Sequence, residues 1–322
     1  MSKRRLLCNL VLTLVALTAC SILSGNLARA AEPLPTIDEV VAVLKKNEAA
    51  VTGLRVQAKA KIRQRTGNDF EGPELKREIR IWFAYDDQGR IRSEKEGGTP
   101  GRVGTTDVLQ EKQLGTFDGK VARTLWGRTN YDFAHIGSEW TRLYREVDPR
   151  NYLDQFANEP LSKRFSDGKH AVVGREKVAI GEQPARDLLV VESQPVVRDD
   201  VSYKNRYLLD PACDDFAVVR SSWIRYGDGP WCEYTNTTAH ALKHDVWGVW
   251  LPEHAIYTSY NVPRAAAAKG GPFTISWQYD VTFHDWELNP KFVDTDFTLV
   301  IPPGVFVNDS LTGKSYKQGE RE

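Results

Sequence analysis

From residue 54 to residue 63 every second side chain is apolar and every other one is basic or an amide. Leu54, Val56, Ala58, Ala60 and Ile62 alternate with Arg55, Gln57, Lys59, Lys61 and Arg63. A period of two sends successive side chains to opposite faces, so the segment predicts a strand with one wet face. Ile79, Ile81, Phe83 and Tyr85 repeat the pattern, and residues 86–89 read as a turn into Ile91. Late in the chain Ile275, Trp277, Tyr279, Val281 and Phe283 alternate with Ser276, Gln278, Asp280 and Thr282. Further strand-like runs lie near 109–117, 121–126, 171–180, 188–192, 203–209, 216–226, 232–241 and 249–260. Short strands joined by turns imply an antiparallel meander rather than β-α-β units.

One early segment has a helical period instead. Ile37, Val40, Val41 and Leu44 fall on one face, and Thr36-Ile37-Asp38-Glu39 before them fits a capping box. Gly53 is a natural stop. The helix is amphipathic and needs an apolar surface to lie on. A second break in the alternation, from 140 to 165, predicts one or two short helices interrupted at Pro149 and Pro160; residues 265–271, rich in small side chains, read as a loop. Together these elements predict an α+β protein built on a large, strongly curved antiparallel sheet, with an N-terminal amphipathic helix and a short helical insertion.

The first thirty residues follow neither pattern. Lys3, Arg4 and Arg5 precede an apolar stretch from 6 to 23, and Ala28-Arg29-Ala30 offers the small-x-small site of a secretory signal peptide. Residues 1–30 are therefore expected to be a leader and 31–322 a single domain. An uncleaved anchor is the alternative, although the stretch is marginal for a span of about 20 residues. Leu17-Thr18-Ala19-Cys20 also resembles a bacterial lipobox, in which Cys20 would carry the lipid; Ile22 and Leu23 continue the apolar run where a polar tether is more usual. The expected location is the periplasm, with membrane contact either transient or through an N-terminal lipid anchor.

Removing the leader changes the charge. The chain has 43 basic and 43 acidic residues, and four of the basic ones lie in the leader, which leaves a mature net charge of −4. No basic stripe survives, which argues against a nucleic-acid partner. Cys213 and Cys232 remain after the leader and are a possible disulfide in an oxidising compartment, or two buried thiols.

The search for chemistry is mostly negative. Gly313-Lys314-Ser315 echoes a phosphate-binding loop, but Asn308 replaces its first glycine and a hairpin turn fits better. His240 and His244 would lie about 13 Å apart on a strand, at ~3.3 Å per residue, too far to share a metal ion. No Gly-x-Ser-x-Gly elbow is present. Acid pairs such as Asp199-Asp200, Asp214-Asp215 and Asp294/Asp296 sit in turn-like segments. No catalytic residue, cofactor or metal site is assigned. Aromatic residues on strands are abundant, with nine tryptophans in the chain. They form either a bulky core or the lining of an apolar cavity.

The order of elements resembles a known family. The helix followed by the 54–65 strand, then Ile79-Arg80-Ile81-Trp82-Phe83 and Gly115-Thr116-Phe117-Asp118-Gly119-Lys120, resembles the opening of LolA-like outer-membrane lipoprotein carriers. Gly174-Arg175-Glu176-Lys177-Val178 with Leu188-Leu189-Val190-Val191, and then Leu209-Asp210-Pro211, Gly248-Val249-Trp250-Leu251-Pro252 and Leu288-Asn289-Pro290, are similar to later segments of the same superfamily. RseB-like sensor domains share that shape. The resemblance implies an unclosed half-barrel that binds lipid or lipoprotein acyl chains without catalysis. The polar residue by which carriers regulate their cargo has no counterpart identified in this sequence.

Candidate cavity residues are Val56, Ala58, Ala60, Ile79, Ile81, Phe83, Ile275, Trp277, Tyr279 and Val281, with Ile37, Val40, Val41 and Leu44 as a lid. Two other functions compete: an envelope-stress sensor that binds a protein partner, and an enzyme with a scattered site.

Overall fold

A computed structural model describes residues 33–65, 72–100, 108–128, 130–138 and 160–320. The leader, Cys20 and residues 139–159 of the expected helical insertion lie outside the described residues. Contacts divide the chain into Met1–Pro35 and Thr36–Glu322, and every element below belongs to the second unit.

Helix α1 (Ile37–Ala49) begins as its capping residues dictate. The Glu39 amide donates to Thr36 Oγ1 at 3.3 Å, and the Thr36 amide donates to the Glu39 carboxylate at 2.7 Å. The helix ends at Ala49, and Gly53, expected as its stop, instead opens the first strand. Strands β1 (Gly53–Arg65), β2 (Glu74–Asp86), β3 (Ile91–Pro100), β4 (Val108–Phe117), β5 (Ala122–Gly127) and β6 (Phe133–Gly137) follow as a meander. A five-residue helix, α2 (Leu161–Phe165), separates them from β7 (His170–Val178), β8 (Arg186–Ser193), β9 (Val196–Arg198) and β10 (Val201–Asp210). Then come β11 (Phe216–Tyr226), β12 (Cys232–His244), β13 (Trp250–Asn261), a short helix α3 (Arg264–Ala267), β14 (Thr274–Leu288), β15 (Phe306–Asp309) and β16 (Lys314–Lys317). The small-residue stretch read as a loop thus contains a turn of helix, which Arg264 and the four consecutive alanines that follow it favour.

The sixteen strands among the described residues form one unclosed sheet, the curved half-barrel expected of the α+β class. One edge is β16 and the other β7, with β9 pairing alongside the first half of β10. The centre of the sheet is β1, held between β2 and β14. Every pairing is antiparallel except β15 on β6, where the chain returns across the sheet and lies parallel. Thr312-Gly313-Lys314 joins β15 to β16 as a hairpin turn, Gly313 taking a φ of +70° that glycine adopts without strain.

Directly paired residues share a face of a sheet, so the register sorts the side chains. A single row runs Arg77, Ile62, Tyr279, Tyr257, Thr237, Arg220, Tyr207, Val191 across eight strands. Tyr207 and Val191 pack under Val40, Val41 and Leu44 of α1 and Leu161 and Phe165 of α2. That side is therefore the helix face. The opposite, outer face carries exposed Lys59, Lys61 and Arg80. It is covered near β5 and β6 by Leu299, Val305 and Val307, which pack on Leu125 and Ala134. Arg55 and Arg90 lie over the rings of Phe292 and Phe297 on this side, fastening the segment after β14.

Candidate functional site

The helix face gathers most of the predicted cavity residues. Ala58 stands between Ile81 and Phe283, and Ala60 between Ile79 and Val281. Val56 pairs with Phe83, and Ile62 with Tyr279. Two small side chains flanked by large ones on both neighbouring strands form a closely packed apolar row along β1, the furrow. Val56, Ala58, Ala60, Ile79, Ile81, Phe83, Tyr279 and Val281 all belong to one buried apolar cluster. Each is at most 4% exposed.

The end of the furrow is more open. Trp277 is half-buried; it stacks on Tyr279 at 6.2 Å with the rings 16° apart, and Tyr279 meets Tyr257 at 5.7 Å. Ile275 is set apart from the others. The ladder slips between Ser259 and Tyr260, so Trp277 pairs with Ser259 while Ile275 pairs with Tyr260. The Ser276 hydroxyl donates to the Ser259 carbonyl at 2.9 Å within this bulge. Alternation along the sequence continues through residue 275, but the slip breaks its meaning there.

The lid residues lie on the same face but over a different part of it. Val40, Val41 and Leu44 are buried against Leu189, Val191, Tyr207 and Leu209, with Ile37 at the margin. These partners sit on β8 and β10, several strands from the furrow on β1. Asn47 extends the seat by donating to the Asp214 carbonyl at 2.9 Å.

Two residues on the helix face were not anticipated. Arg77 is buried in the β2 row of Leu75, Ile79 and Ile81, and its Nη1 donates to the Gly98 carbonyl at 3.2 Å. It pairs with Ile62. The alternation that identified Ile79 and Ile81 reaches back to Leu75 once Arg77 is counted on the apolar side, and that was the available signal. Arg220 faces Tyr207 and Thr237 in the same row.

The cysteines form no disulfide. Both are free and buried, Cys213 in the large cluster and Cys232 in a separate one with Ile224, Val262 and Ala267. Burial, reinforced by the neighbouring Asp210 carboxylate, pushes the Cys213 thiol up to about 12, and burial raises Cys232 as well. The Asp210 carboxylate accepts from Arg186 and lies 3.5 Å from the Cys213 sulfur. His240 and His244 are both on β12 as expected. His240 turns toward His254, ring centres 5.2 Å apart, and His254 Nε2 lies 2.7 Å from Asp280. Among the described residues no group of three or more His, Cys, Asp or Glu side chains is placed to hold a metal ion. No helix among them is long and apolar enough to cross a membrane.

A second concavity lies at the edge of β10, where its pairing passes from β8 to β9. It is an open hollow of about 420 Å³ lined chiefly by Ser193, Arg198, Tyr203, Lys204, Asn205 and Tyr234. Val196 pairs with Tyr203 and Arg198 with Val201, which places all four on the face of Tyr207.

No protein-family model matches the chain, and no curated protein does. The chain is similar to several solved structures. One is a DUF1329 family protein from Desulfovibrio piger, with 11% identity over 81% of this chain and 97% of that one, at a TM-score of 0.46. An outer membrane lipoprotein-sorting protein domain from Vibrio parahaemolyticus has 10% identity over 81% and 97%, at 0.41. A LolA superfamily protein from Nitrosomonas europaea has 10% identity over 83% and 99%, at 0.40.

Proposed function

We propose that the helix face over β1, β2 and β14 receives acyl chains of a lipid or lipoprotein, as a binding protein of the bacterial periplasm and without catalysis. The observation that carries this reading is the furrow. Nine of the ten candidate residues share one face, and small Ala58 and Ala60 run between rows of large apolar side chains. The row is closed as it stands, each of these side chains being at most 4% exposed except Trp277, so a chain enters by parting the packing from the Trp277 end, and each methylene it buries contributes about 0.8 kcal/mol. Trp277, half-buried at the end of the furrow and stacked on Tyr279, is the natural point of entry.

The test uses the full chain, expressed in a bacterium and purified without detergent. Native mass spectrometry is expected to find stoichiometric acyl-chain adducts, depleted in Trp277→Asp once circular dichroism has shown that the variant is folded. A bare protein mass that also takes up no added lipid would overturn the reading and leave a protein-binding sensor as the better one.

A further inference from the structure

We infer that the hollow beside β9 is an anion subsite which holds the phosphate or carboxylate head of the ligand whose chains lie in the furrow. This inference rests on the acyl-binding reading above and adds the chemical class of the head group.

The chemistry of the lining is one-sided. It offers two cations, two phenols, an amide and a hydroxyl, and no carboxylate. The two cations differ. Lys204 is already engaged, its Nζ 2.9 Å from the Glu192 carboxylate and 5.2 Å from the centre of the Trp231 ring. Arg198 is exposed and makes no ion pair among the described residues. The Asn205 backbone amide donates to Ser193 Oγ at 2.9 Å, and its side-chain oxygen accepts from Ser222 at 2.9 Å. Ser193 Oγ and the Asn205 side-chain oxygen each already accept one hydrogen bond, and the Asn205 amide hydrogens are left as donors. Tyr203 and Tyr234 meet edge-on at 6.3 Å, which fixes one wall of the hollow with a rigid pair. A site rich in donors, with one free guanidinium and no competing carboxylate, favours an anion with several acceptor oxygens.

Position joins the hollow to the furrow. Tyr203, Asn205 and Tyr207 alternate along β10 on one face, and Tyr207 belongs to the row that passes through Tyr257 and Tyr279 to Ile62. Asn205, Ser222, Thr235, Ser259 and Trp277 are paired in turn, so the hollow lies in register with the half-buried Trp277 end of the furrow on β14. The face changes from donor-rich to apolar along the direction in which an amphiphile would lie.

Monododecyl phosphate and dodecanol, both below their aggregation concentrations, serve as probes, with inorganic phosphate as the headgroup alone. Binding is read by tryptophan fluorescence and isothermal titration calorimetry on the full chain. Dodecyl phosphate is expected to bind about tenfold more tightly than dodecanol, the scale of one charge-assisted hydrogen bond. Arg198→Gln should abolish that preference without changing the affinity for dodecanol, and Arg198→Lys should keep part of it. Arg175→Gln, on the β7 edge, should leave both affinities unchanged. Equal binding of the two probes, indifferent to Arg198, would overturn the anion subsite while leaving acyl binding intact. Inorganic phosphate binding as tightly as dodecyl phosphate would also overturn it, since the head would then owe nothing to the tail. Failure of both amphiphiles to bind would overturn the acyl-binding reading and the subsite with it.

Discussion

Cys213 shows how strongly one buried residue is determined by its neighbours. Its thiol lies against a carboxylate that is itself held by Arg186, in an apolar cluster that admits almost no solvent. A thiolate there would lose hydration and face a negative charge, and both effects keep the proton on sulfur. Cys232 is buried beside the Ala267 carbonyl, 3.8 Å away, under the α3 turn. In protein lacking residues 1–30, a disulfide reagent at pH 8 is expected to titrate neither thiol in the native state and both in denaturant. Rapid reaction of one equivalent before unfolding would contradict the burial of Cys213 or Cys232. The even count of cysteines left after the leader could not decide this, because pairing depends on which strands are adjacent. Cys213 precedes β11 and Cys232 opens β12, yet their side chains enter different clusters.

At the scale of elements, α1 is the part of the fold most fully legible in the sequence. Its cap and its apolar face appear in residues 36–49, since local hydrogen bonds and a 3.6-residue period set them, whereas its end at Ala49 falls short of the stop read at Gly53. Its destination was not legible. An apolar stripe says that a partner exists, and only the long-range pairing of β8 with β10 makes Leu189, Val191, Tyr207 and Leu209 that partner. Thr36→Ala removes one side of the capping box and is expected to cost about 1 kcal/mol. The measurement is a shift in the urea midpoint with an unchanged slope. The strands show the same division. Period two located β1, β2 and β14, but it could not show the slip at Ser276, because a bulge leaves the composition of a strand unaltered while redirecting its side chains. It also led the eye away from Arg77, since a charged residue in an alternating run is assigned to the wet face unless a buried partner is known. The Arg198 hollow was illegible for a third reason. Its walls come from β8, β9, β10 and β12, which only the folded sheet brings together.

For the whole molecule, the strand at the centre of the sheet pairs with the last long strand of the chain. Leu54 lies opposite Leu288, and Gln64 opposite Trp277. Each half of the sheet is otherwise a local meander: β1 to β6 on one side and β7 to β14 on the other. The β1–β14 seam therefore joins two halves that are each made largely of neighbouring hairpins. The parallel β15–β6 pairing binds the C-terminal segment back across the first half. That seam carries a kinetic consequence. Contacts between residues more than two hundred positions apart impose a large loop-closure cost before they return any stability, so high contact order slows folding. The hairpins of each half can form early, whereas the joint between them must wait until β14 is available. A chain ending at residue 273 is expected to retain strand signal in circular dichroism but to lose the cooperative unfolding transition of the full protein. A sharp two-state melt from that shortened chain would show that cooperativity does not depend on the β1–β14 seam. The two sides of the sheet therefore stay unjoined during synthesis until residues 274–288 have been made, however early their own hairpins form.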